Sequence, residues 1–199
     1  MKKNYYVLIE GMPGAGKTSV ISLIKSIEDG FHVQDETYFD EATLPENYVE
    51  TEVKYLEDSA SKSKTISANQ INLSDRGFIS VLAYCYALES VDSSKKGLYE
   101  ILYNRCRDMI TEGTLILPDI LIVLMIDAQI SKRRRDNYKH NEEYKMWFKD
   151  DFLNAFYKFY NEKKFLSLYN GPILTLDTTE KEITQVAEFL IKQINESNI

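Results

Sequence analysis

The chain is poor in the residues that staple or ligate. It has two cysteines and two histidines in 199 residues, and neither pair shows ligand spacing. Cys85 and Cys106 stand alone, which favours reduced core thiols of a cytoplasmic protein over a disulfide or a metal site. His32 and His140 are solitary too and read as solvated or locally bonded. Four prolines and eight glycines are not gathered into a linker or low-complexity segment, and no internal repeat is visible. No apolar run reaches transmembrane length. The longest, Ile120 to Ile126, is strand-sized, so no membrane partner is expected. Basic residues are outnumbered, 24 Lys and Arg against 31 Asp and Glu, for a net charge of −7. That balance argues against broad nucleic-acid binding, which needs a basic face. It leaves room for a nucleotide, whose phosphates need only local positive charge. Hydrophobic content of 44% and charged content of 28% are ordinary for a water-soluble protein, and the length suits one domain, 1–199.

What the chain does have is a phosphate loop. Gly11 to Thr18 read G-x-x-x-x-G-K-T, the pattern whose amides cradle phosphates. The apolar run Tyr5 to Ile9 before it reads as a short buried strand. After it, Val20, Leu23, Ile24 and Ile27 recur at helical spacing, so an amphipathic helix begins near Lys17. Gly11, Gly14 and Gly16 let the backbone turn its amides toward one point, with Ala15 and Ser19 completing the cradle. The helix N-terminus adds a partial positive charge. Lys17 would reach the β- and γ-phosphates, and the Thr18 hydroxyl would ligate magnesium; the expected cofactors are therefore ATP and Mg2+. Met1 to Lys3 ahead of an apolar stretch is superficially like a signal peptide. That stretch runs straight into the loop, whose loss would destroy the site, so no targeting segment is read there.

The rest of the chain alternates. Phe31 to Asp35 reads as a strand ending at Asp35-Glu36-Thr37. Pro45 marks a helix start, with Val49, Val53 and Leu56 as its stripe, and Ser59 to Lys64 reads as a loop or frayed end. Gln70 to Ser74 is weakly strand-like and leads into Asp75-Arg76-Gly77. Phe78 to Glu89 reads as a buried helix. Asp92 to Ser94 form a turn with capping side chains, and Leu98, Ile101, Leu102, Cys106 and Met109 mark a further helix. Ile120 to Ile126, closed by Asp127, has no polar face and suggests a central strand covered on both sides. A basic cluster, Lys132 to Arg135, and a polar stretch follow. Tyr144 to Tyr169 reads as long and helical, rich in Phe and Tyr. After Gly171-Pro172 come a strand from Ile173 to Leu176, a capping box Thr179-x-x-Glu182, and a helix placing Ile183, Val186, Ala187, Leu190 and Ile194 on one face. Strands alternating with helices imply an α/β fold with a parallel sheet, its ligand at the strands' carboxyl ends.

At these stations the chain resembles the thymidylate kinase and deoxynucleoside kinase group of P-loop kinases. Asp75-Arg76 followed by Ser80, Leu82, Ala83 and Tyr84 looks like the segment carrying their Asp-Arg pair. Pro118-Asp119 leading to Ile126-Asp127 looks like their Pro-Asp…Leu-Asp segment. The basic helix looks like their mobile LID, here about 128–143, and Asp177-Thr178-Thr179 like the loop against which adenine packs. The resemblance implies a three-layer P-loop NTPase fold, with a five-stranded parallel sheet flanked by helices and a short LID segment. It also implies transfer of the γ-phosphoryl of ATP to a nucleoside or its monophosphate, and Thr178 joins the nucleotide-binding set by it. Three departures leave the acceptor open. Pro13 stands where thymidylate kinases usually carry an acidic residue. The second strand ends without their Arg-Glu-Pro or the Glu-Pro of deoxynucleoside kinases. The LID is abbreviated.

Phosphoryl transfer needs positioning and charge neutralisation more than covalent help. Asp75 is a candidate to hold magnesium through water, with a helix N-cap as the other reading. Arg76 would clamp the acceptor end with a bidentate guanidinium, or else form a surface salt bridge. Glu36 discriminates between acceptors: a hydroxyl benefits from a general base, whereas a monophosphate is already anionic. Three consecutive arginines span a helix's circumference, so at most two of Arg133, Arg134 and Arg135 face inward. By analogy with spaced LID arginines, Arg133 and Arg135 are favoured. Tyr84, Trp147 and Phe148 fit core packing, with base stacking as the alternative. The leading function is a kinase of a nucleoside or nucleoside monophosphate. The alternatives are a kinase of another small hydroxylated metabolite and a nucleotide-switched regulator, which would want the Asn-Lys-x-Asp that the chain lacks. A homodimer is the assembly left open.

Overall fold

Six consecutive apolar residues need cover on both sides. The computed structural model, which describes residues 4–138, 140 and 142–197, buries every one of them in strand β4 (Ile120–Met125). Four more strands, β1 (Tyr5–Gly11), β2 (Phe31–Gln34), β3 (Ile71–Asp75) and β5 (Ile173–Asp177), complete a parallel sheet ordered β2-β3-β1-β4-β5. β1 pairs with β3 from Tyr5 opposite Ile71 to Ile9 opposite Asp75, and with β4 from Val7 opposite Ile120 to Gly11 opposite Leu124. All five strands run the same way, so Gly11, Gln34, Asp75 and Asp177 end on one edge of the sheet. The topology switches across β1, and open α/β sheets bind ligands at that place.

Seven α-helices among the described residues flank the strands: α1 (Lys17–Ile27), α2 (Tyr48–Lys64), α3 (Phe78–Val91), α4 (Leu98–Thr111), α5 (Ala128–Arg134), α6 (Asp150–Asn161) and α7 (Ile183–Ser197). α1 packs against α7, while α3 packs against α2, α4 and α6. The result is the expected three layers around a five-stranded parallel sheet. α3 is buried for more than half its length, as its continuous apolar run requires, and Cys85 and Cys106 are free buried thiols. No helix among the described residues is long and apolar enough to cross a membrane. Met1 to Lys3, and positions 139 and 141 of the LID-like segment, lie outside the described residues.

Several local expectations are corrected. Ser59 to Lys64 is not a loop but the last turns of α2, with Ser59, Ala60 and Ser63 buried. The Ser59 hydroxyl donates to the Tyr55 carbonyl at 3.0 Å and that of Ser63 to Ala60 at 2.7 Å. Small side chains that satisfy themselves on their own backbone can face a core. The same helix starts at Tyr48 behind an Asn47 cap rather than at Pro45. Tyr144 to Tyr169 is not one helix. Short 3₁₀ turns run to Phe148, Lys149 is extended, and α6 begins at Asp150. The capping box is absent: the Thr179 hydroxyl accepts the Asp127 N–H at 3.0 Å, and Gln185 caps the Glu182 N–H at 3.1 Å. Ile27, Ile101 and Ile183 sit on exposed faces, and Ile21 takes the buried place in α1.

At Gly11 the backbone holds φ at +126°, and a Cβ there would stand 2.0 Å from the Leu124 carbonyl oxygen. Gly11→Ala is therefore expected to destabilise the fold by about 3 kcal/mol or more, read as a lowered urea midpoint; an unchanged midpoint would contradict this packing of the loop on β4.

Candidate active site

The end of β1 turns into the loop because Gly11, Gly14 and Gly16 all take positive φ. Lys17 follows at the first position of α1, and its ammonium folds back to donate to the carbonyls of Gly11 (3.0 Å) and Met12 (2.8 Å). Burial pushes that ammonium from its ordinary 10.5 down to about 7, with Arg76 acting in the same direction and Asp75, Glu36 and Glu10 opposing. An anion in the loop would replace the carbonyls as partner and restore the charge. Ala15 and Ser19 line the same cavity, as the cradle reading expects.

Two strand tips meet the loop. The Thr18 hydroxyl donates to Asp75 Oδ2 at 2.6 Å, while Oδ1 of the same carboxylate is buried without a hydrogen-bond partner. Asp75 does not cap α3, whose N-cap is Gly77. Burial raises the Asp75 pKa, against the Thr18 hydrogen bond and the Lys17 charge. A hydroxyl beside an orphaned carboxylate oxygen suits a hydrated magnesium ion, which is held by one or two protein oxygens and the substrate's phosphates. No group of three or more His, Cys, Asp or Glu among the described residues forms a metal cage. Next along, Arg76 holds a left-handed backbone at φ 60°, a strain that non-glycine residues keep where the surroundings enforce it. Its Nε lies 2.5 Å from Glu36 Oε1, so β2 and β3 tips are joined by an ion pair, and Tyr38 donates to Glu36 at 2.9 Å. The pair is only about a fifth exposed, which excludes the surface salt bridge.

Glu10 is the group that sequence reasoning missed. Fully buried one residue before the loop, its carboxylate accepts the backbone N–H of Gly77 at 2.9 Å and of Ser80 at 3.1 Å, the Ser80 hydroxyl, and the Tyr160 hydroxyl at 3.2 Å. It takes the N-terminal amides of α3, sharing that of Ser80 with the Gly77 carbonyl at 3.1 Å, and so fixes the segment that presents Asp75 and Arg76. Burial raises its pKa, against the Ser80 hydrogen bond and the charges of Arg76 and Lys17. A glutamate inside an apolar strand, one step before a phosphate loop, was the available signal.

The LID-like helix closes the other side. Asp127 caps α5 by accepting the N–H of Gln129 and Ile130, and does not reach the cavity. The buried Ser131 donates to the Pro13 carbonyl at 2.7 Å, and Lys132 pairs with Asp150 at 2.5 Å. Of the arginines, Arg134 and Arg135 line the cavity and Arg133 is exposed outside it, so Arg134 takes the place expected of Arg133 while Arg135 keeps its own. Arg134 donates to the carbonyls of Thr178 (3.0 Å), Thr179 (3.2 Å) and Gly14 (3.4 Å). Arg135 lies over the Trp147 and Phe148 rings. Thr178 is buried, and its hydroxyl bonds the Ala15 and Met125 carbonyls at 3.0 Å. It therefore fastens the last loop to the phosphate loop.

All of these walls enclose one cavity of about 1190 Å³, which extends from the phosphate loop past Glu36, Asp75 and Arg76 to Tyr48, Glu52, Tyr84 and Trp147. Tyr84 and Trp147 pack on the buried Phe152, as core packing expects, and also line this space. Phe148 does not line it.

No protein-family model matches the chain, and no curated protein matches it by sequence. Solved structures do. A deoxyadenosine kinase from M. mycoides with products dCMP and a flexible dCDP bound superposes with a TM-score of 0.67 at 17% identity, over 96% of this chain and 98% of that one. The same enzyme with bound dCTP gives 0.64 at 20% identity, covering 96% and 99%. Thymidylate kinase from Candida albicans gives 0.62 at 19%, covering 99% and 94%.

Glu10→Ala would take from the Gly77 N–H its acceptor and from the Ser80 and Tyr160 hydroxyls their bonds to the carboxylate. A loss of about 2–4 kcal/mol in unfolding free energy is expected, measured by urea denaturation. A loss within error would remove Glu10 from the role of tying β1 to α3.

Proposed function

We propose that the protein, whose fold is that of the nucleoside and nucleotide kinases, transfers the γ-phosphoryl of ATP to the hydroxyl of a nucleoside, with magnesium. One observation carries this reading: the Lys17 ammonium, the Thr18–Asp75 pair and the Glu36–Arg76 pair face one cavity whose opposite wall carries Arg134 and Arg135. The nucleoside is favoured over its monophosphate because the cations near the acceptor end are already matched. Arg76 is paired with Glu36, and Lys62 donates to the carbonyls of Asp35 (2.6 Å) and Asp75 (3.4 Å). An acceptor phosphate would need a cation free of such claims.

The residues then have distinct tasks. The loop amides and Lys17 hold the β- and γ-phosphates. Thr18, with Asp75 through water, would hold magnesium, which would supply charge neutralisation for the transferring phosphoryl. Glu36 accepts the proton of the attacking hydroxyl as the oxygen–phosphorus bond forms and the bond from the γ-phosphorus to the bridging oxygen breaks; ADP leaves with that oxygen. Arg76 orients Glu36 through their ion pair. Arg134 and Arg135 come from the lid side to the same charge. The regulator reading has no comparable support, since a switch needs neither an acceptor cavity nor a base within it.

The experiment is an acceptor screen with labelled ATP over nucleosides, their monophosphates and other hydroxylated metabolites. Label is expected in a nucleoside, and Lys17→Ala should lower the rate by about 100-fold or more while the thermal transition stays. Transfer only to monophosphates would revert the acceptor to the thymidylate kinase-like alternative, and transfer to neither class would end the reading. Glu36→Gln is expected to lower kcat by ~10²–10⁴ with a smaller change in KM.

ATP should also bind with proton uptake. The Lys17 pKa stands near 7 before binding, so at about pH 8 the amine is largely neutral; phosphates raise its pKa again and the site gains close to one proton. Calorimetric titration in buffers of different ionisation enthalpy reads this directly. Equal enthalpies in all buffers would show that Lys17 is charged beforehand.

A further inference from the structure

The carbonyls of the phosphate loop are taken one after another by side chains. Lys17 takes those of Gly11 and Met12, and the Thr178 hydroxyl takes that of Ala15. Between them lies the Pro13 carbonyl, which accepts the Ser131 hydroxyl at 2.7 Å. Ser131 belongs to α5, is fully buried and does not line the cavity. Its bond differs from those of other helical serines. Ser26, Ser59, Ser61 and Ser90 each donate to a carbonyl of their own helix three or four residues back, the local outlet for a hydroxyl inside a helix. Ser131 instead crosses 118 residues of chain to the loop. The two backbones also touch there: a Cβ on Gly14 would stand 3.1 Å from the Ser131 carbonyl oxygen and 3.3 Å from its Cα.

A trans peptide is planar, so its carbonyl and the following N–H point opposite ways. Ser131 draws the Pro13 carbonyl to α5, behind the wall that Pro13 and Gly14 give the cavity. The Gly14 N–H on the same peptide is thereby turned to the cavity side. We propose, resting on the reading of the loop as the phosphate site, that Ser131 is a positioning residue for the triphosphate. By holding the Pro13 carbonyl outward it holds the Gly14 N–H inward, and it sets the lid helix and the loop in one frame before any ligand arrives.

The loop needs such a support. Gly11, Gly14 and Gly16 leave its backbone free to turn either way, and amides aimed at one empty point repel one another. Any reorientation on binding would be charged against affinity, so an orientation imposed from outside strengthens the grip on phosphate. Lys17 cannot impose it throughout, because an anion draws its ammonium off the Gly11 and Met12 carbonyls. Ser131 and Thr178 stand outside the phosphate site, and their bonds to Pro13 and Ala15 persist through that exchange.

The test uses the full chain as wild type, Ser131→Ala and Ser131→Cys. Each is titrated calorimetrically with tripolyphosphate and with a non-hydrolysable ATP analogue, both with magnesium, after urea denaturation has fixed conditions in which all three are folded. Ser131→Ala should weaken both ligands by about tenfold, and by the same factor, because the loss lies in the phosphates they share. Ser131→Cys fills the space but donates weakly, and should recover little of the loss. In turnover, KM for ATP should rise by about the same factor, with a smaller change in kcat and none in KM for the acceptor. Wild-type affinities in Ser131→Ala, full recovery in Ser131→Cys, or a wild type that binds neither ligand would overturn the proposal. So would a lowered urea midpoint with unchanged affinities, which marks packing alone. The two readings separate: tripolyphosphate weakened in Ser131→Ala while no acceptor is phosphorylated spares Ser131 and ends the kinase. Transfer from ATP with equal tripolyphosphate binding in all three proteins does the reverse.

Discussion

The hydrogen bond from Thr18 to Asp75 is the contact on which the site depends. It joins the phosphate loop at the end of β1 to the tip of β3. The parallel register, which ends Ile9 opposite Asp75, leaves these two groups no other place to be. From that junction Arg76 extends to Glu36 on the tip of β2, so three strands contribute one continuous line of charge. Glu10 holds the line from beneath by taking the N-terminal amides of α3. Pro13 is clasped from above by Ser131 of the lid helix.

Charge burial on this scale is tolerated because each group has a counterpart. Lys17, Arg76 and Lys62 stand against Glu10, Glu36 and Asp75, and the pKa shifts follow from that balance. Burial lowers Lys17 and raises Glu10 and Asp75, with the opposite charges nearby resisting in each case. Arg76 is the exception in sign: burial opposes its charge, but Glu36 and Asp75 outweigh it and hold the guanidinium above its ordinary value. The same balance separates the two ends of the cavity. The phosphate end is ionic and internally matched, whereas the end near Tyr48 and Tyr84 is aromatic with a single buried acid. A ligand with an anionic tail and a flat heteroaromatic head fits that polarity.

The sheet, the phosphate loop and the placement of Asp75, Arg76 and Glu36 were legible in the sequence because each rests on a local pattern: apolar runs of strand length, glycine spacing, and acidic or basic residues at strand ends. What was not legible depends on tertiary partners. Ser59 to Lys64 looks like a loop until Ser63 is seen accepting the Ile116 N–H as well as bonding its own helix. Thr179 matches a capping box but is taken by Asp127 from another segment. Which of three consecutive arginines faces inward depends on where α5 starts, and Asp127 starts it so that Arg134 reaches the Thr178 loop. Glu10 sits in a stretch read as structural, and only its burial marks it.

The most direct measurement is a crystal structure with a non-hydrolysable ATP analogue, magnesium and a nucleoside together. The account predicts the β- and γ-phosphates on the amides of residues 14–18, the metal at the Thr18 hydroxyl, and the acceptor hydroxyl within hydrogen-bond reach of Glu36. A triphosphate seated elsewhere, or a nucleoside whose hydroxyl turns away from Glu36, would contradict it.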